Sequence, residues 1–318
     1  MTIKIQGNDL LKRYYNGQEV QKVMYNWTQI RPSVVPPSVD YLCFTGTAGS
    51  SIALAKVWSP NPVYLEISYD KTTWSDYTFW VQINYDSNIN KVYFRNKSTT
   101  PTDFSYFNYP YDDFYKFYMS GSIIWSGDIT TLLCKTWTTA LTSNWCFCFL
   151  FQWCTALTTP PRLPATTLRD QCYYYMFDGC SWLTTLPELS ATTLSFGCYL
   201  RMFSYCTSLT TVPTLPATTL ADACYWEMFR WCTSITSLPE LPATNLPVAC
   251  YMWMFNECTS IKLSDTPWWE YQNSYRIPSV WIWTDDTNSL YDMFLNTWWT
   301  FAGTPSINTT YYTSNTVI

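Results

Sequence analysis

The sequence predicts an α+β protein: an N-terminal all-β, sandwich-like region, then a solenoid of five 26-residue strand–helix units, then a C-terminal capping region. Three observations predict it. Residues 33–130 hold short β-type runs between polar turns. Residues 131–262 repeat with a fixed period, and residues 263–318 leave that period.

The segment 1–32 carries a duplicated turn. "YNGQEV" at 15–20 aligns with "YNWTQI" at 25–30, so Gly17 stands opposite Trp27. This stretch reads as a hairpin-like module. Next, "VYLEISYDKTTW", "YTFWVQINY", "NKVYFRNKS" and "YKFYMSGSII" are β-type runs, several of them alternating in polarity. Asp, Asn, Ser and Thr turns separate them, the pattern of an antiparallel sandwich.

The repeat follows. "CFCFLFQWC" (146–154), "CYYYMFDGC" (172–180), "CYLRMFSYC" (198–206), "CYWEMFRWC" (224–232) and "CYMWMFNEC" (250–258) share one 26-residue register. Leu168, Cys172, Met176 and Cys180 fall at i, i+4, i+8 and i+12, which predicts one face of a helix. The linking "LTTLPEL" is β-rich and then broken by proline, which predicts one short strand and a turn. Each unit is too small to bury its apolar stripe alone. Stacking supplies the core, with Leu163, Leu189, Leu215 and Leu241 expected in one ladder. "SLYDMF" at 289–294 echoes the repeat and suggests a closing unit.

Composition narrows the chemistry. The chain has 318 residues, is 47% hydrophobic and 13% charged, and carries a net charge of −5. It can form a substantial core, but no basic surface exists to displace counterions from nucleic acid. Histidine is absent, which removes the commonest general base and the commonest metal ligand. The carboxylates are scattered or lie in turns such as "TDDTNS". No cofactor, metal or catalytic residue is expected. The N-terminus lacks the apolar stretch of a signal peptide and no run of 18 apolar residues occurs, so a soluble chain made in the cytoplasm, without membrane insertion, is expected. The repeat cysteines, spaced C-x7-C, do not match zinc spacing. They read as reduced, buried side chains rather than a disulfide framework.

The repeats "LPATTL…CYYYMF…CTSLTT" resemble the BspA-like leucine-rich repeats of bacterial surface proteins and of phage and prophage proteins. The segment "VYLEISYDKTTWSDYT…KVYFRNKS" resembles the β-domain that often precedes them. "YYNGQEVQKVMYNWTQIRP" resembles short motifs near the start of phage tail and fibre proteins. The resemblance implies adhesion or ligand recognition without catalysis. The expected protein is a phage virion component made in the host cytoplasm, binding a bacterial surface glycan or protein and in contact with other virion proteins. The alternative is an exported adhesin on the bacterial cell surface. Within the repeats the framework is fixed while Tyr174, Tyr175, Asp178, Leu200, Arg201, Ser204, Glu227, Arg230, Met252 and Asn256 vary. These are the candidate ligand-binding positions, expected to face outward.

Tryptophan poses a separate question. The chain has 18 tryptophans and only 9 glycines, where average usage would give about 22 glycines. Gly179 aligns with Trp153 and Trp231, as Gly17 does with Trp27. Two readings stand: the indoles decorate a binding face, or a codon meaning glycine in the source is written as tryptophan. Trp74, in "KTTWSDYT", reads as a genuine aromatic of the β-region.

Overall fold

The computed structural model describes residues 14–15, 18–19, 40–57, 63–102, 104, 114–135, 138–236, 239, 241–243, 245–261, 289, 293 and 296–297. Most of residues 1–32 and 263–318 therefore lie outside the described residues. Met1–Asp40 form a unit of their own. In it β1 (Tyr14–Tyr15) pairs antiparallel with β2 (Gln18–Glu19), across the dipeptide Asn16–Gly17 that two-residue hairpin loops favour.

Eight strands follow: β3 (Leu42–Gly46), β4 (Ser51–Val57), β5 (Leu65–Ser68), β6 (Ser75–Asp76), β7 (Ile83–Asn84), β8 (Lys91–Asn96), β9 (Phe114–Ser120) and β10 (Ile123–Ser126). They make two antiparallel sheets, one of five strands in the order β10-β3-β8-β5-β6 and one of three in the order β7-β4-β9. The sheets pack face to face. Phe44 of β3 and Phe94 of β8 meet Phe117 of β9 at ring-centre distances of 4.9 and 5.6 Å. The Tyr77 hydroxyl crosses the layers, accepting from the Leu54 amide at 2.8 Å and donating to the Val81 carbonyl at 2.9 Å, so its one polar atom is satisfied inside the core. A short 3₁₀ helix, Ile129–Leu132, is capped by Asp128, whose carboxylate accepts from the Thr130 amide.

The expected strand–helix units do not form. Among the described residues there is no α-helix, and the linking segments contribute only isolated bridges, such as Leu163 with Leu189 and Thr193 with Thr219. The fold is mostly β, with stacked turns where helices were expected. In residues 171–180 the backbone bonds alternate. Tyr173, Tyr175, Phe177 and Gly179 donate to Cys198, Leu200, Met202 and Ser204 of the next unit at 2.8–3.0 Å. Tyr174, Met176, Asp178 and Cys180 donate three residues back within their own unit. The same arrangement recurs from unit to unit.

A strict period of four explains the correction. A helix closes a turn in 3.6 residues, so positions four apart drift by about 40° per step and leave its buried face within two or three steps. The ribbon has no such drift. Every fourth residue takes a positive φ: Gln171 (53°), Tyr175 (54°) and Gly179 (74°), then Gly197, Arg201 and Tyr205, and so on in each later unit. That reversal keeps Cys172, Met176 and Cys180 on the buried side, while the helical bond to residue i−4 is never made.

The stack grows out of the sandwich. β9 and β10 are the edge strands of their two sheets. The Phe117 amide donates to the Leu150 carbonyl at 2.8 Å, and the Cys154 thiol donates back to Phe117. Phe117 also stacks on Phe151, Ile123 bridges Leu157, and Asp128 bridges Arg162. These three pairings share a single sequence offset, so the β9–β10 hairpin serves as unit zero. It carries the ribbons on one sheet and the linking segments on the other, and both edges are covered against pairing with other chains. At the far end Tyr251 donates to the Ser289 carbonyl and Phe255 to Met293. Ser289 and Met293 thus stand where a sixth unit places its cysteine and methionine, in the columns of Cys250 and Met254.

Candidate recognition strip

Two aromatic ladders and two cysteine ladders lock the units in register. Phe117, Phe151, Phe177, Phe203, Phe229 and Phe255 stack with centroids 5.1–5.7 Å apart and planes within 9°. Tyr173, Tyr199, Tyr225 and Tyr251 form the second column. These offset stacks follow from the ring quadrupole. The ten repeat cysteines are buried free thiols. Cys180, Cys206, Cys232 and Cys258 each donate to the phenylalanine carbonyl of the unit before, at 3.0–3.2 Å. Burial pushes Cys154, Cys172 and Cys224 up to about 12. A thiol held protonated is neither a nucleophile nor a ligand.

On this frame all ten variable positions fall along one side of the ribbons. They are less open than expected. Asp178, Leu200, Ser204, Glu227 and Asn256 are buried, while Tyr174, Tyr175, Arg201, Arg230 and Met252 are half-buried. Sequence variation marked the strip but not its depth, because side chains of successive units lie against one another there, as Glu227 does between Arg201 and Arg230. Glu227 sits at its centre, only 2% exposed. Its Oε2 accepts from Arg201 Nε at 2.7 Å and from Arg230 Nη1 at 2.7 Å, and Arg230 Nε donates to Asn256 at 3.2 Å. The Arg201 guanidinium lies over the Tyr175 ring at 5.1 Å and donates to its hydroxyl; Arg230 lies over Trp253. Tyr174 meets Tyr175 edge-on at 4.3 Å. One unit earlier, Gln152 donates to Asp178 at 3.1 Å. Burial raises the Asp178 carboxyl to about 6, against the opposing pull of Gln152, Arg201 and Ser204. Gln152, Phe149 and Trp253 belong to the strip as well; their places in the repeat register could have identified them.

This arrangement presents aromatic faces and charge-assisted donors in a fixed, repeating geometry. It contains no nucleophile–base pair. Among the described residues no group of three or more Cys, Asp or Glu side chains could hold a metal ion, and no helix is long and apolar enough to cross a membrane. Elsewhere, two shallow clefts of about 410 and 370 Å³ share Val63, Tyr64 and Lys97 on the sandwich. Comparison with protein-family models, curated proteins and solved structures returns no match to this chain.

Proposed function

We propose that this protein is a non-enzymatic recognition protein, a virion component that binds a bacterial surface ligand through the strip running from Tyr174 to Asn256. The carrying observation is the separation of framework from variation. The backbone ladder, the cysteines and the two aromatic columns repeat from unit to unit. The residues that differ between units share one side and contact one another across units. A rigid frame with changeable contact residues lowers the ordering cost of binding.

The test uses the half-buried members, whose removal spares the ion pairs. Fluorescently labelled protein should bind cells of the host bacterium, and Tyr174→Ala with Met252→Ala should weaken binding at least tenfold while the melting temperature stays within a few degrees. Unchanged binding would exclude the strip. Periodate treatment of the cells distinguishes a glycan ligand, protease treatment a protein. Immunogold labelling of purified particles and of cells separates a virion protein from an exported adhesin.

A further inference from the structure

We infer that Trp80, Trp145, Trp153, Trp231 and Trp253 are glycine positions of the natural protein: the codon standing for them, UGA, which genetic codes assign variously to glycine and to tryptophan, is read as glycine where this protein is made. The inference stands on backbone geometry; it meets the recognition reading at Trp253, where glycine would remove the ring under Arg230 but leave Arg230 its bonds to Glu227 and Asn256.

Nine tryptophans lie among the described residues, and these five have φ between 54° and 69°; Trp74, Trp125, Trp182 and Trp226 do not share it. Tyrosine and phenylalanine are together far more numerous in the chain, yet among the described residues only Phe149, Tyr175 and Tyr205 adopt a positive φ. The clash that disfavours this region involves Cβ, which all three aromatic types share. Indole has no reason to be concentrated there over phenol or phenyl. Glycine has the reason, because it lacks Cβ.

The register makes the same point. Trp145 and Gly197 occupy one column of the stack, with φ of 62° and 54°. Trp153, Gly179 and Trp231 occupy another, at 60°, 74° and 62°. Of the other side chains at positive-φ positions, Arg201 and Glu227 hold each other. Two of the indoles lie largely in solvent. Trp80 and Trp153 are 59% and 57% exposed, although Trp80 Nε1 reaches the Lys56 carbonyl at 3.2 Å. The buried Nε1 of Trp231 has no hydrogen-bond partner. Trp74 is the contrast. Its φ is not positive, its Nε1 donates to the Lys71 carbonyl at 3.1 Å, the Arg95 guanidinium lies 3.8 Å over its ring, and Tyr41 meets it edge-on. Glycine at the five sites also moves the chain's glycine count towards the ordinary range.

Peptide sequencing by mass spectrometry of the protein isolated from its natural source decides the matter. Glycine is expected at positions 80, 145, 153, 231 and 253, with tryptophan at 74. Tryptophan at the five positions overturns the inference. A recombinant chain with all five changed to glycine supplies a second readout. It should melt no lower than the parent, whereas Trp74→Gly should melt clearly lower; a fivefold variant that loses as much as Trp74→Gly also overturns it. Trp27, which stands opposite Gly17 in the duplicated turn, lies outside the described residues.

Discussion

The sandwich and the turn stack enclose one continuous apolar core with two different backbone solutions. In the sandwich each strand bonds to neighbours on its flanks and alternates its side chains between core and solvent, as β8 does (Lys91 exposed, Val92 buried, Phe94 buried). In the stack each ribbon bonds half its amides to the next unit and half to itself, so two core-facing residues alternate with two on the other side. A strand spreads its apolar residues at period two. The ribbon concentrates them at period four, and that leaves room on its other side for a continuous strip of contact residues. The difference teaches that a repeat unit can saturate its backbone without either regular helix or regular strand, provided that a neighbour is present in register.

Register dependence gives the largest expected effect. Deleting residues 172–197 removes one unit and rejoins Gln171 to Cys198, so every donor still faces a carbonyl of the next ribbon. Near-ultraviolet circular dichroism and a cooperative melt should survive. Deleting only half a unit, 172–184, places linking segments against ribbons and leaves amides buried without acceptors. That variant should lose its cooperative transition. Equal behaviour of the two deletions would end the stacking argument.

The two regions were unequally legible. The sandwich showed itself through alternation in β8, β9 and β10, although β3 and β4 were not singled out. "LCFTG" is buried at four of its five positions and so does not alternate, and "SIALAKV" is diluted by small residues. The repeat, its length and its buried cysteines were also legible. The ribbon was not. Leu168, Cys172, Met176 and Cys180 fit a helical face over one or two steps, and only the persistence of spacing four over three steps argues against 3.6. The signal that would have excluded a helix, positive φ at every fourth residue, is written in glycine at Gly179 and Gly197 but obscured elsewhere by Phe149, Arg201, Glu227 and the tryptophans. The variable positions could be read from the sequence; the ion pairs among them depend on the ribbon geometry and could not.

Packing at the junction comes next in size. Phe117 belongs to β9, yet it is the first ring of the stack's phenylalanine column, 5.1 Å from Phe151. Phe117→Ala and Phe203→Ala should each cost about 3–5 kcal/mol, as large-to-small core substitutions do, measured by urea unfolding. A loss below about 1 kcal/mol for Phe117→Ala alone, well under that range, would show that sandwich and stack are joined without being packed.

The strip should respond less. Glu227 is buried between two arginines whose side chains are 27% and 28% exposed. Glu227→Ala leaves both guanidiniums without their carboxylate, but water can reach them. The expected loss is about 3 kcal/mol, at the lower edge of what breaking a fully buried pair costs. Arg201→Ala leaves Arg230 on the carboxylate and should cost less than Glu227→Ala. The reverse order would mean that stacking on Tyr175, rather than the ion pair, holds the strip together.

The smallest effect is also the most specific to the stack. Asp70 in the sandwich is exposed, and hydrogen bonds from the Thr73 and Thr72 amides hold its carboxyl well below the usual range. Asp178 in the stack is buried and is raised from 3.8 to about 6, with burial the largest cause. In the window between these two values the folded chain holds a proton at Asp178 that the unfolded chain has released. Stability at this site is therefore greatest below about pH 4, falls as pH rises towards 6, and is level above that, opposite in sign to a depressed carboxyl such as Asp70. Asp178→Asn removes the titration while keeping an oxygen for Gln152. At pH 7 the variant should be more stable than the parent by about 1–3 kcal/mol; at pH 4 the two should nearly coincide. Urea midpoints of both chains at pH 4, 5, 6 and 7 give the difference curve directly, and carboxyls elsewhere cancel from it. A curve that is flat across the window would mean that the Arg201 charge offsets burial in full and that the strip carries an ordinary, ionised Asp178.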